Sequence, residues 1–168
     1  MSALPLTGGC QCGAVRYAVA DPGQDAYLCH CRMCQKAMGN LFSAMIAISP
    51  KDVTWTRGRP ATFRSSDAGQ RGFCAACGTP LCYIGDHGHM AITIGSLDHP
   101  ERHKPKSQDG IQSRMPWFAE LTSVRDDGET GGGPDVDWVV AIRRSNRQHP
   151  DHDTDQWPPE TSKTEARP

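Results

Sequence analysis

At 168 residues the chain suits one domain with an appendage. Its formal net charge of −1, from 18 Lys and Arg against 19 Asp and Glu, excludes a global basic footprint for nucleic acid. No apolar run is long enough to span a bilayer, and "MSALPLTGGC" has neither the basic start nor the apolar stretch of a secretory signal, so a cytoplasmic protein with no membrane partner is expected. The 17 Gly and 13 Pro favour turns and short strands over long helices.

In chain order, residues 14–20 ("AVRYAVA") alternate Val15, Tyr17 and Val19 against small or polar neighbours, the pattern of a half-buried strand. "DPGQD" (21–25) reads as a turn. A cysteine cluster follows, and "QKAMG" (35–39) predicts about one helical turn. "LFSAMIAI" (41–48) predicts a longer apolar strand, and "VTWTRG" (53–58) and "ATFRSS" (61–66) predict two short strands around a Gly-Arg-Pro break. "LCYIG" (81–85) and "MAITIG" (90–95) predict two more, joined by "DHGH". Many short strands between Gly/Pro turns predict an all-β core over residues 7–124.

Residues 125–135, "RDDGETGGGPD", have the composition of a flexible linker. A short helix over 136–147 suits Asp135 and Asp137 near its start and Arg143, Arg144 and Arg147 near its end, although "WVVAI" equally suits a strand. From His149 onward Trp157 is the only large apolar residue, so a disordered tail is expected. Residues 1–124 hold 12 Lys and Arg against 9 Asp and Glu, and the remainder 6 against 10.

Eight cysteines in a chain with no export signal point to metal rather than disulfides. "FCAACGTPL" has the form of a zinc knuckle: Cys74 and Cys77, three apart, turn their sulfurs to one point, and Gly78 permits the tight turn. Cys10 and Cys12, two apart in an extended stretch, point the same way. These four form a closed, structural four-thiolate site that ties the start of the chain to its middle. Cys29, Cys31 and Cys34 remain, with Cys82 as the spare thiol. Either Cys82 completes a second closed site, or it packs in its strand as a small hydrophobe and the fourth position is open, as in catalytic zinc sites.

"GGCQCGAVRY", "CHCRMCQKAMG", "FRSSDAGQRGFCAACGTPL", "ITIGSLDHP" and "RMPWF" fall in order across residues 8–118. In these motifs the chain resembles the glutathione-dependent formaldehyde-activating family, shared with centromere protein V-like proteins. The resemblance implies a β-rich, Mss4-like (β-tent) zinc fold. It also implies a structural zinc at Cys10, Cys12, Cys74 and Cys77, and a second zinc at Cys29, Cys31 and Cys34 near a bound thiol. The activity it implies is a carbon–sulfur lyase reaction, joining glutathione to formaldehyde as S-hydroxymethylglutathione or cleaving it. One departure concerns the pocket: Gln108, followed by Asp109 and Gly110, stands where the family often has a histidine followed by apolar residues.

Zinc with three thiolates carries a formal −1, so a bound thiolate needs cations nearby, and Arg32 and Lys36 flank the cluster. Arg71 beside the knuckle suits a substrate carboxylate, and Trp117 suits a pocket wall. By alternation His30 points away from the metal, as an exposed side chain, and His87 and His89 read as a polar hairpin loop. Ser65 and Ser66 have no visible base partner, so no nucleophilic serine is expected. The alternative to an enzyme is a non-catalytic, zinc-stabilised module whose acidic tail serves a protein partner.

Overall fold

The computed structural model describes residues 6–21, 23, 25–130 and 136–158. Positions 22 and 24 of the expected turn, 131–135 of the expected linker and 159–168 of the expected tail lie outside the described residues.

Among the described residues ten strands and two α-helices follow in order: β1 (Leu6–Gly9), β2 (Arg16–Val19), β3 (Ala26–Cys29), α1 (Arg32–Met38), β4 (Ser43–Ile48), β5 (Val53–Arg57), β6 (Ala61–Ser66), β7 (Gly69–Phe73), β8 (Pro80–Gly85), β9 (Met90–Thr93), β10 (Ser107–Asp109) and α2 (Asp137–Ser145). They make a three-stranded sheet, β1-β2-β5, and a seven-stranded sheet, β10-β3-β4-β9-β8-β7-β6. Every pairing is antiparallel except β10 with β3. The fold is therefore all-β. Among the described residues no helix is long and apolar enough to cross a membrane.

The apolar alternation read in the sequence decides what faces the core. Leu6, Tyr17 and Val19 from the small sheet pack with Ile46, Ile48, Met90 and Ile92 from the large one. This is one buried layer between two sheets, with polar residues left on the outer side of β5 and β6. Two polar contacts pin the layers. Tyr17, fully buried, shares a 2.7 Å hydrogen bond with Ser96. Arg16 donates two hydrogen bonds to Asp98, at 2.7 and 2.6 Å, with both side chains out of solvent.

Four strands were not legible as strands. β1 and β7 carry two glycines each, and both strands need them. A Cβ on Gly8 would lie 2.4 Å from the Ser96 carbonyl, and one on Gly72 would lie 2.5 Å from Cys82 Sγ. Glycine marks a close approach here, not a break. β3 is four residues long and ends in Cys29, and β10 is three exposed polar residues whose place is set by parallel pairing with β3.

Beyond α2 the chain returns to the core. The expectation of disorder from His149 onward does not describe residues 149–157. His149 is buried, donates its backbone N–H to the Gln11 carbonyl at 2.6 Å and shares a 2.9 Å hydrogen bond from its ring with Thr154 Oγ1. Arg16 Nε donates to Asp153 at 2.8 Å, Arg57 reaches the Thr154 carbonyl, and Trp157 Nε1 donates to the Cys12 carbonyl. Apolar content under-predicts this docking because polar anchors hold it.

Candidate functional site

The first cluster forms where the β1–β2 turn meets the β7–β8 turn. The sulfurs of Cys10, Cys12, Cys74 and Cys77 all lie within 4.8 Å of one another. Cys10 to Cys12 is 3.6 Å and Cys12 to Cys74 is 3.9 Å. A tetrahedral zinc with Zn–S bonds of about 2.3 Å needs sulfur–sulfur edges of about 3.8 Å, so the spacing fits that ion. The knuckle is shaped by its backbone: Gly78, at φ 81°, donates to the Cys74 carbonyl at 2.8 Å. Val15 N–H points at Cys10 Sγ at 3.3 Å.

The thiols themselves call for a cation. Burial pushes Cys12 up to about 12 and also raises Cys74. Burial opposes ionisation of Cys77 too, but donors on Thr79 and Cys12 outweigh it and bring that thiol down to about 6. Burial therefore leaves Cys12 and Cys74 resisting ionisation. A divalent ion removes that resistance.

The second cluster is local in sequence. Cys29 closes β3, Cys31 caps the start of α1, and Cys34 sits in its first turn. The turn accounts for their convergence: Cys34 N–H donates to Cys31 Sγ at 3.4 Å, and their three sulfurs again lie within 4.8 Å of one another. The same electrostatic pattern recurs. Burial pushes Cys29 up to about 12 and raises Cys34, whereas in Cys31 burial is outweighed by the Cys34 N–H and the neighbouring thiols. Among the described residues no fourth Cys, His, Asp or Glu joins these three. Cys82 belongs to neither cluster. It is fully buried in the core between the sheets, where burial pushes its thiol up to about 11.

Strand register shows which face carries the second cluster. Phe63, Arg71, Tyr83, Ala91 and Ala47 are cross-strand partners in turn from β6 to β4. Met45 stands two residues from Ala47 and pairs with Tyr27, which stands two residues from Cys29. All therefore project from one face, opposite the core layer. Arg71 is the charged member of this row. It is 5% exposed, donates from Nη2 to Cys34 Sγ at 3.3 Å and from Nε to Ser65 Oγ at 3.0 Å, and lies over the Tyr83 ring at 5.4 Å. Its strand has an irregularity on each side. Ser65 is extra in β6, between Arg64 and Ser66, and Leu81 is extra in β8, opposite the Gly72–Phe73 step. Such bulges re-aim side chains.

The other sequence candidates are placed less centrally. Arg32 and Lys36 are exposed on α1, and Arg32 Nη1 donates to Gln35 Oε1 at 3.1 Å rather than to a cysteine. Trp117 is 43% exposed, and it is Phe118 that packs edge-on to His30 and Phe42. His30 lies outside the sulfur cluster, as alternation requires, but it is fully buried rather than exposed. Its Nε2 shares a 3.0 Å hydrogen bond with Gln108 Oε1. His87 and His89 stack in the β8–β9 hairpin and join no metal group.

Sequence reasoning found Gln108 as a departure but not its place. β10 runs directly behind the trio: Asp109 pairs with Cys29, and its carbonyl accepts the His30 N–H at 2.8 Å. Gly110, at φ 64°, leaves room for Cys31, whose backbone nitrogen would lie 2.6 Å from an added Cβ. Gly110→Ala is therefore expected to weaken metal binding at Cys29, Cys31 and Cys34 by at least about tenfold, the scale of losing a supporting contact. Cobalt titration followed by thiolate absorption checks this, with the four-cysteine cluster as the internal control.

No curated protein matches the chain. Among solved structures, a Rhodobacter sphaeroides protein matches with a TM-score of 0.50 at 20% identity, covering 61% of this chain and 98% of that one. That likeness concerns the fold alone. The all-β sheets and the two cysteine clusters are those of an Mss4-like architecture. The family profile described as glutathione-dependent formaldehyde-activating enzyme matches residues 5–113, which span both clusters and Arg71. By that match the chain belongs to the glutathione-dependent formaldehyde-activating enzyme family.

Proposed function

We propose that the chain is a carbon–sulfur lyase that joins a small thiol, glutathione in the first instance, to a small aldehyde such as formaldehyde, and cleaves the adduct in reverse. In the forward direction a sulfur–carbon bond forms, the carbonyl π bond opens, and the thiol proton ends on the new hydroxyl. The observation that carries this reading is the three-sulfur cluster, lying on the outer face of the large sheet with a buried guanidinium touching one of its sulfurs.

In this reading each cluster holds zinc: Cys10, Cys12, Cys74 and Cys77 a closed structural ion, Cys29, Cys31 and Cys34 one with a position to spare. When bound there, zinc would supply a positive centre that favours thiolate over thiol. Arg71 adds a fixed positive charge beside Cys34 and offsets the excess of three thiolates. Arg32 and Lys36, exposed on the helix that carries Cys34, would attract the carboxylates of glutathione, and Trp117 would border the substrate. Residues 7–124 form the catalytic unit and 125–168 an extension to it. All eight cysteines are free, which suits a reducing compartment such as the cytoplasm. A +3 core with scattered charges offers no nucleic-acid footprint.

The test is to mix zinc-loaded protein with glutathione and carbon-13 formaldehyde and follow adduct exchange by NMR. Exchange well above buffer is expected, with zinc at two per chain. Cys34→Ala should hold one zinc and return exchange to the buffer rate. A folded two-zinc protein with no acceleration would instead be the non-catalytic binding module.

A further inference from the structure

Beside Arg71, between the end of α1 and strands β6, β7 and β8, lies a cavity of about 190 Å³. Ala37, Met38, Phe63, Phe73 and Pro80 line it, and Arg71 is its one charged side chain. Arg71 is also incompletely partnered. Nε and Nη2 are taken by Ser65 and Cys34, whereas Nη1 is buried with no hydrogen-bond partner. The Tyr83 ring lies against the guanidinium face, an attraction that leaves the in-plane Nη1 donors unspent. A buried donor without an acceptor costs about 1–3 kcal/mol, so an acceptor that reached Nη1 would be favoured there.

The chemistry of this place does not match all of glutathione. That peptide carries two carboxylates and an ammonium, and the cavity offers one cation and an apolar wall. Formaldehyde has no side chain to fill it. A larger aldehyde has both required parts, because one carbon bears the oxygen and the side chain. A donor that takes the oxygen also fixes where the side chain goes. We propose that the aldehyde partner of this enzyme carries an apolar side chain of several carbons, which occupies this cavity while Arg71 Nη1 donates to the carbonyl-derived oxygen. The inference rests on the thiol–aldehyde reading above and names its second substrate. The product is a thiohemiacetal: the thiol sulfur bonds to the carbonyl carbon, and the thiol proton ends on the oxygen held by Arg71. No oxidant or reductant takes part.

Equilibrium binding tests the site apart from turnover. The probes are pentanoate and acetate, followed by ligand-observed NMR on the two-zinc protein. Three added methylenes make pentanoate at least about tenfold tighter if they enter the cavity. Arg71→Gln should weaken pentanoate at least about tenfold. Should that variant fail to fold, Ala37→Phe fills the cavity from the half-buried end of α1 and should remove the preference for pentanoate over acetate. Equal binding of the two probes, or a preference untouched by Ala37→Phe, overturns the inference. In the exchange assay, pentanal with glutathione should give a higher kcat/KM than formaldehyde with glutathione. Faster exchange of formaldehyde with pentanethiol would place the apolar group on the thiol and also overturn it. Formaldehyde exchange with no pentanoate preference leaves the lyase reading standing without this site. Pentanoate preference with no exchange of any aldehyde removes the lyase reading instead.

Discussion

Cys77→Ala is expected to unfold the domain, whereas Cys34→Ala is expected to leave it folded with one metal ion fewer. The two clusters differ in what they join. The four-cysteine cluster links positions 62 residues apart, from the turn after β1 to the turn after β7, and so fastens the small sheet to the far side of the large one. The three-cysteine cluster links positions five apart, within one strand–helix turn. Structural zinc contributes apparent free energies of about 10–16 kcal/mol in small domains, comparable with or larger than the whole stability of about 5–15 kcal/mol. Losing one of four ligands also leaves three sulfurs crowded without a well-held cation. Far-UV circular dichroism and metal analysis on both variants check this. Equal unfolding would mean that the trio is structural as well, and the lyase reading would lose its open site.

Asp98→Ala should lose about 3–5 kcal/mol, because it leaves the Arg16 guanidinium buried without its main counter-charge. Asp98 also accepts from Thr7 Oγ1 at 2.6 Å, so the same carboxylate ties β1, β2 and the segment after β9. Asp153→Ala, which removes the second carboxylate on the Arg16 guanidinium, should lose no more than about 1 kcal/mol, since that carboxylate is 52% exposed. Denaturant unfolding of the two variants separates these values. Acid adds a further sign. Burial alone would raise the Asp98 carboxyl, but Arg16 and Thr7 outweigh it and hold it below its usual 3.8. The pair's contribution is therefore complete above about pH 5 and declines as pH falls through the depressed value.

The sequence announced whatever rests on spacing or alternation. Cys10, Cys12, Cys74 and Cys77 were legible as one cluster because two short intervals each constrain two sulfurs, and the strands at β2, β4, β5, β6, β8 and β9 were legible from their apolar residues. What escaped depends on partners distant in the chain. Gly8 and Gly72 look like breaks until Ser96 and Cys82 are seen pressed against them. His30 looks exposed until Phe42, Phe118 and Gln108 are placed around it. Arg71 was nominated as a substrate contact, but its hold on Cys34 comes from bringing together a helix and a strand whose contacting residues are 37 apart in the chain. The docking of residues 149–157 uses a histidine, an aspartate and an indole N–H, none of which composition counts as cohesive.

The supernumerary Leu81 in β8 has an evolutionary corollary. Because two consecutive side chains, Leu81 and Cys82, both enter the interior there, the inside–outside parity of the strand changes at that point. Everything after it, Tyr83 included, is aimed by the count of residues rather than by their identity. Substitutions in this stretch can drift, but a single-codon deletion would invert the rest of the strand and take the aromatic support from beneath Arg71. Chain length between Cys77 and Tyr83 should accordingly be far more constrained than the letters that fill it.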